Sequence, residues 1–268
     1  MKYREEGMGM KKYISVLALE VRSTIYKLLL ILAGMTILEA TLLSRAFERM
    51  RSECERWGKT LKELDYLPFS LEMVVEESHI QVVFLASLAA VAAVLLWAGS
   101  EHGKAKSRES LWRLRISPRT VFAIFSVYHV ICFGMVIMTQ ILIVWGFDLV
   151  YRQVICSEKA PQVLFMAFQV NGFLHGLLPM WDALKSVSLL SLLLAWGMGT
   201  VYFGYIGLAG HQKRCSILLG FLTFSMFLLA AGPEARSINW WLIGLSAVCI
   251  ISILWSVKGV WGYEMGET

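Results

Sequence analysis

Residues 121–147 read VFAIFSVYHVICFGMVIMTQILIVWGF and contain no Asp, Glu, Lys or Arg. A helix needs roughly 20 mostly apolar residues to cross a bilayer, so this run is long enough to span one. The whole chain shares this character, because 57% of its 268 residues are hydrophobic and 17% are charged. A soluble domain carries roughly 25% charged residues. With only 5 Pro and 5 Cys, the chain also differs from collagen-like, disordered and disulfide-rich proteins. We therefore predict an all-α, polytopic membrane protein.

Six apolar runs predict six transmembrane helices within a single domain, residues 1–268. The first run contains Glu39 and needs Lys27 to extend its charged end towards the headgroups. The basic stretch before it is longer than that of a cleavable signal peptide, so this run is expected to remain in the mature chain. The predicted spans cover about residues 26–43, 80–98, 121–147, 187–209, 216–231 and 238–257.

The loops predict the orientation, because Lys and Arg are enriched on the cytoplasmic side of membrane proteins. One side carries 15 basic and 7 acidic residues, and the other carries 10 basic and 12 acidic residues. Both termini are therefore predicted to be cytoplasmic, in a multi-pass protein of the cell (plasma) membrane. Two long segments, 44–79 and 148–186, are then external.

The two external segments carry different patterns. Opposite charges at i,i+4 within 44–79 favour a helix, so the first span is expected to continue outward as a charged helix. The stretch 163–180 has no charge but contains Gln, Asn, His, Gly and Pro. We interpret it as an amphipathic or re-entrant segment at the outer interface.

The common catalytic motifs are absent from the sequence. It contains no G-x-x-x-x-G-K-[ST], H-E-x-x-H or G-x-S-x-G, and no Cys pair with zinc spacing. We predict no catalytic, cofactor or metal site, and no nucleic-acid partner. An intramembrane enzyme using Glu39 with His129 or His175 is the weaker alternative. Cys54 and Cys156 both map to external segments, where either a disulfide or two free thiols fit the sequence.

The loop 99–120, GSEHGKAKSRESLWRLRISPRT, carries the strongest signal for function. Ser107 can cap a short helix over residues 107–116, and Pro118 stops that helix. One side of this helix is apolar and the other is basic. Such a helix either lies on anionic lipid as a positive-inside loop or docks a soluble partner, for which Arg and Trp are favourable.

The order of residues in this loop resembles the coupling-helix loop of ABC-2-type transport permeases. An acidic residue, Glu101, and Gly103 are followed by Leu-x-x-Leu-x-x-Ser-Pro-x-Thr over residues 111–120. The amphipathic stretch of about residues 11–25, with its apolar stripe of Ile14, Leu17, Val21 and Ile25, resembles the interface helix of that family. The chain departs from the family in one respect. Its large external segment lies between the third and fourth spans, whereas in that family an external hairpin lies between the fifth and sixth.

The resemblance implies the permease subunit of an ABC exporter, of a divergent subgroup. A separate ATPase subunit would dock on the 99–120 loop and bind the ATP, and a second permease copy or paralogue would complete the path. The scarcity of polar groups in the spans favours an amphipathic or lipid-like substrate. A non-transporting membrane sensor or assembly factor with the same docking loop is the alternative. The residues expected to couple to the ATPase are Glu101, Gly103, Arg108, Glu109, Leu111, Trp112, Arg113, Leu114, Arg115 and Pro118.

A few residues within the spans are candidates for function or packing. Glu39 is costly at bilayer depth, so it either faces a translocation path or reaches the headgroups. Gln140 either lines that path or makes an interhelical hydrogen bond. Small residues form a stripe on the fourth span that favours close helix packing, with a hinge or a dimer seam as the alternative. These are Gly197, Thr200, Gly204 and Gly207.

Overall fold

The computed structural model describes residues 2–56, 70–102, 117–155, 163–179, 182–205, 224–225 and 236–264. The regular structure within these ranges is helical and includes no strand. This confirms the predicted all-α class. In chain order the helices are α1 (Lys2–Arg56), α2 (Leu71–Ser78), α3 (Ile80–His102), α4 (Pro118–Ile155), α5 (Val163–Val170), α6 (Gly172–Leu177), α7 (Ala183–Tyr205) and α8 (Arg236–Glu264).

Five of these helices are long and apolar enough to cross a membrane. The apolar stretches are Tyr13–Glu53, Ile80–Gly99, Arg119–Gln153, Ala183–Gly204 and Ile238–Trp255. They coincide with five of the six predicted spans. The remaining one, 216–231, lies outside the described residues except for Phe224 and Ser225. Membrane-spanning helices are thus supported, and the count of six stays a prediction.

The expected interface helix at residues 11–25 is not separated from the first span. Both belong to α1, which continues without interruption for 55 residues. The physical reason is that residues 11–43 contain no proline and only one glycine, Gly34, so nothing breaks the helix. Of the expected apolar stripe, Ile14 is exposed, whereas Leu17 and Val21 are partly buried and pack against the core. The most buried positions of this part of α1 are Val16, Glu20 and Thr24.

The C-terminal end of α1 extends as a helix to Arg56, as the charge pattern predicts. A short additional helix, α2, precedes α3. Its N-cap is Ser70, whose hydroxyl accepts a hydrogen bond from the Met73 amide. His79 ends α2 with φ 52°, and this left-handed residue redirects the chain directly into α3.

The uncharged segment 163–180 forms two short helices, α5 and α6, which meet at Asn171. The Asn171 side chain accepts a hydrogen bond from the Leu174 amide at 3.1 Å and so caps α6. Phe173 of α6 packs edge-to-face against Phe84 of α3, with ring centroids 5.4 Å apart. The segment therefore packs against the N-terminal part of α3.

Helices α4 and α7 hold the bundle together. Both contribute to the main core, in which Phe133 of α4 packs against the fully buried Trp196 of α7 at a ring-centroid distance of 5.6 Å. A second apolar cluster joins α1, α4, α7 and α8 at the end of the bundle where α4 begins. Phe125 and Val201 are among its most buried members. Helix α4 therefore begins at a packed end of the bundle.

Two glycines of α7 lie against neighbouring backbones. A Cβ on Gly197 would lie 2.4 Å from Val130 Cγ2 and 3.0 Å from the Ser126 carbonyl oxygen of α4. A Cβ on Gly204 would lie 2.9 Å from the Cα atom of Gly99 in α3. Real Cβ atoms do not approach other atoms this closely, so only glycine permits these helix contacts.

Candidate functional site: a buried polar layer

A layer of buried polar side chains joins α1, α4 and α7. His129 of α4 lies at its centre and is fully buried. Its Nε2 atom is 3.2 Å from Glu20 Oε1 of α1, and its Nδ1 atom is 2.8 Å from Thr200 Oγ1 of α7. Glu20 is fully buried as well. One imidazole thus connects three candidate membrane-spanning helices.

Thr200 has several hydrogen-bond partners in this layer. Its hydroxyl donates to the backbone carbonyl oxygens of Trp196 and Gly197, at 2.9 and 3.0 Å. The same oxygen atom lies 2.8 Å from His129 Nδ1. The other ring nitrogen of His129 lies against the Glu20 carboxyl group, so both ring nitrogens have a hydrogen-bond partner, which lowers the cost of burying them.

A second contact between α1 and α4 lies beside this pair. The Thr24 hydroxyl donates to the Glu20 backbone carbonyl at 2.9 Å, and its oxygen also lies within hydrogen-bond distance of Tyr128 Oη, at 2.6 Å. Tyr128 therefore adds a second polar contact between the same two helices.

Glu39 and Gln140 form another buried pair further along the same two helices. Gln140 Nε2 donates to Glu39 Oε2 at 2.6 Å, and both side chains are fully buried. The predicted interhelical hydrogen bond of Gln140 is therefore present, and Glu39 points into the bundle. Nearer the end of α4, Arg152 Nη2 lies 2.6 Å from Asp148 Oδ2 in an i,i+4 ion pair.

These pairs lie in the middle part of the candidate span of α4. The apolar stretch 119–153 of α4 has its midpoint at residue 136. At 1.5 Å per residue, His129 lies about 10 Å from that midpoint on the loop side, and Gln140 lies about 6 Å from it on the other. A hydrocarbon layer about 30 Å thick centred on that midpoint would include both residues. Ionisable groups at such a depth are rare, so this layer is the candidate functional site.

Glu39 lies too far from His129 for the two side chains to act together. Glu39 pairs with Gln140, which lies 11 residues beyond His129, or about 16 Å along α4. The alternative of an enzyme site built from Glu39 and His129 therefore lacks the necessary proximity. Within the described parts of the chain, no three His, Cys, Asp or Glu side chains are grouped to hold a metal ion.

Most residues of the predicted coupling loop lie outside the described residues. These are Gly103, Arg108, Glu109, Leu111, Trp112, Arg113, Leu114 and Arg115. The structure does give the backbone at both ends of the loop. Glu101 belongs to the last turn of α3, and Pro118 begins α4, with Ser117 accepting a hydrogen bond from the Thr120 amide.

The small-residue stripe of α7 is described except for Gly207. Gly197 contacts α4, Gly204 contacts α3, and Thr200 lies in the polar layer. These contacts are the close helix packing that the stripe favours. The alternatives, a hinge in α7 or a seam between two copies of the chain, are not tested by contacts within one subunit. Cys156 and Gly207 lie outside the described ranges, so the pairing of Cys54 also stays open.

Glu20 is not among the candidate residues that the sequence analysis names, and the structure shows it as a fully buried residue. A usable signal was present in α1. Its buried positions recur every three or four residues, and the series includes both glutamates. These positions are Val16, Glu20, Thr24, Leu28, Leu32, Met35, Glu39, Leu43 and Ala46.

Comparisons with protein-family models, curated proteins and solved structures find no match to this chain. The function therefore has to be argued from the layer, the loop and the contacts between helices.

Proposed function

We propose that this chain is the permease subunit of an ABC exporter, driven by a separate ATPase subunit that docks on the 99–120 loop. The substrate class would be amphipathic or lipid-like. The proposal rests first on the residues of that loop that resemble an ABC-2 coupling helix. It rests second on how the two helices joined by the loop are connected to the rest of the bundle.

The contacts of α3 and α4 with α7 support this mechanism most directly. Gly99, in the last turns of α3, touches Gly204, and Ser126 and Val130, in the third and fourth turns of α4, touch Gly197. The two helices at the ends of the loop therefore meet the same third helix at backbone distance. A displacement of the loop would move α7 with α3 and α4, because the backbones are in contact and leave little space that could absorb the motion.

The polar layer would carry the same displacement to α1. His129 lies 11 residues after Pro118, or about 16 Å from the start of α4. Its hydrogen bonds reach Glu20 of α1 and Thr200 of α7. An ATPase that pushes the loop would thus act on four candidate membrane-spanning helices together, as alternating access requires.

The docking of an ATPase can be tested with the full chain. We expect the tagged protein, purified from its own membranes, to retain a soluble nucleotide-binding protein. The variant Arg113→Glu/Arg115→Glu should lose it. A matched control is Arg45→Glu/Arg49→Glu, which reverses two exposed arginines at the opposite end of α1.

The outcomes separate this proposal from its alternative. Recovery of no nucleotide-binding protein in repeated preparations would overturn the permease assignment. Loss of a different soluble protein on reversal of Arg113 and Arg115 would favour the sensor or assembly factor. Retention of the ATPase in both variants would exclude this loop as its docking site.

A further inference from the structure

A half-open groove of about 560 Å³ lies along α4, between α7 and α8, near the end of the bundle where α4 begins. Its walls are apolar, including Phe122, Val127 and Ile131 of α4, Leu194 of α7 and Leu254 of α8. The volume falls within the range of ligand-binding pockets, roughly 300–1,000 Å³. Several of these side chains are exposed on the outer surface of the bundle, so the groove is accessible from the bilayer.

Ser126 places an unpartnered hydroxyl in this groove. Its side chain is 7% exposed, and its Oγ atom has no hydrogen-bond partner in the described part of the chain. Seven other helical Ser and Thr residues return their hydroxyl to the carbonyl four residues earlier, whereas Ser246 of α8 also lacks a partner in the described part of the chain. The seven are Thr24, Thr36, Thr41, Ser87, Thr139, Ser186 and Thr200. Because an unsatisfied buried hydroxyl is costly, Ser126 needs an acceptor that enters the groove.

A positive charge lies at the end of the groove. Arg119 is exposed, lines the groove and lies in the first turn of α4. It precedes Ser126 by seven residues, which places the two on one side of the helix about 10 Å apart along its axis. An arginine side chain can extend several ångströms, so its guanidinium can approach an anion closer to Ser126.

These three features define the ligand by its chemistry. It must carry an anionic group for Arg119, a neutral acceptor oxygen for the Ser126 hydroxyl, and an apolar chain for the walls. A fatty acid offers one polar end and cannot satisfy both side chains. A glycerophospholipid carries a phosphate, an ester carbonyl next to the glycerol, and acyl chains in that order.

We propose that this groove binds an anionic glycerophospholipid from the leaflet on the loop side. Its phosphate contacts Arg119, its ester carbonyl accepts a hydrogen bond from Ser126, and one acyl chain lies between α4, α7 and α8. The site goes beyond the proposed function, because it binds a membrane lipid whether or not the chain belongs to a transporter.

Native mass spectrometry of the purified full-length protein tests this site, with dioleoyl phosphatidylglycerol and dioleoyl phosphatidylcholine as probes. The two lipids share their acyl chains and differ in net charge. We expect tighter binding of the anionic lipid to the wild type. Arg119→Gln should weaken it by about tenfold or more, since a hydrogen bond to a charged group contributes at least that much. Ser126→Ala should weaken it by about two- to tenfold, as expected for one neutral hydrogen bond.

Matched controls keep the result specific to the groove. Arg22→Gln removes an exposed arginine of α1 that does not line the groove and should leave binding unchanged. Leu194→Trp fills the groove and should abolish lipid binding. Leu190→Trp adds the same bulk one turn away, at an exposed site of α7, and should leave lipid binding unchanged.

The proposal is overturned if both lipids bind equally, if Arg119→Gln and Arg22→Gln behave alike, or if Leu194→Trp binds as well as Leu190→Trp. Unchanged binding by Ser126→Ala overturns the assigned hydrogen bond to the ester carbonyl. Since Arg119 is exposed, its variant is expected to fold, and a loss of lipid binding there cannot be attributed to unfolding.

Discussion

Replacing Glu20 and His129 by leucine, singly and together, tests whether the polar layer is energetically coupled. Both side chains are fully buried and their closest atoms are 3.2 Å apart. His129→Leu leaves a carboxyl group inside the bundle without its imidazole partner. Breaking a buried charged pair in this way costs about 3–5 kcal/mol in the free energy of unfolding.

The reverse single substitution should cost less. In Glu20→Leu, the imidazole keeps its hydrogen bond to Thr200 and only Nε2 loses a partner. An unsatisfied buried polar group costs about 1–3 kcal/mol. The double variant removes both polar groups, and such a replacement is often neutral or stabilising by about 1–4 kcal/mol. We therefore expect the double variant to be more stable than His129→Leu.

The measurement is the free energy of unfolding in mixed micelles, followed by exposure of the buried thiols of Cys132 and Cys249. The other three cysteines, at positions 54, 156 and 215, are replaced by serine in every variant. Only the two buried thiols can then react, and their reaction measures unfolding. The two single variants and the double variant form a double-mutant cycle for Glu20 and His129. A control cycle combines Glu20→Leu with Gln140→Leu, because Gln140 pairs with Glu39 and not with Glu20. This second cycle should be additive within about 0.5 kcal/mol.

The reasoning fails if the changes in the free energy of unfolding add up in the Glu20–His129 cycle as closely as they do in the control cycle. The two side chains would then not interact in the folded protein, and the link that carries motion from α4 to α1 would be lost. A coupling of about 2 kcal/mol or more supports the pair.

Three further outcomes follow from other contacts. Gly204→Ala should lower the free energy of unfolding by about 1–3 kcal/mol through overpacking, measured by the same thiol assay. Gly134→Ala is its control, because a Cβ there meets nothing within 4 Å and should be neutral or stabilising by up to about 1 kcal/mol. Gln140→Leu should lower the free energy of unfolding by about 1–3 kcal/mol, because it removes the donor to Glu39. Glu39→Gln should cost less, because its new amide oxygen can still accept from Gln140. Equal effects of the two variants would refute this hydrogen bond. A cysteine at Arg45 should react with a membrane-impermeant thiol reagent added outside intact cells, and protection there would reverse the predicted orientation.

The apolar runs were sufficient to predict the helices because a membrane span needs only length and low charge. The runs at 80–98 and 121–147 correspond closely to the candidate spans of α3 and α4. The helix α2 was missed, since its short pattern lies inside a polar segment and its burial depends on α1. Local sequence does not contain the partner that buries such a helix.

The polar layer could be predicted only in part. Glu39 and Gln140 were conspicuous, because each interrupts an apolar run. Glu20 was not, because charged residues lie on both sides of it in the sequence and it resembled the polar side of a surface helix. What buries Glu20 is His129, a residue 109 positions away, and no pattern local to either residue indicates that contact.

The first turns of α4 are where the two proposals meet. The carbonyl of Ser126 lies under Gly197, while its hydroxyl lines the groove. Arg119 and Pro118 join that groove to the loop on which a partner would dock. A partner that shifts α4 and α7 together relative to α8 must also change the shape of the groove, because these three helices form its walls. If that shift alters lipid affinity, then lipid binding alters partner affinity by the same factor, since coupling between two sites is reciprocal. Lipid composition would therefore set how readily the loop transmits force.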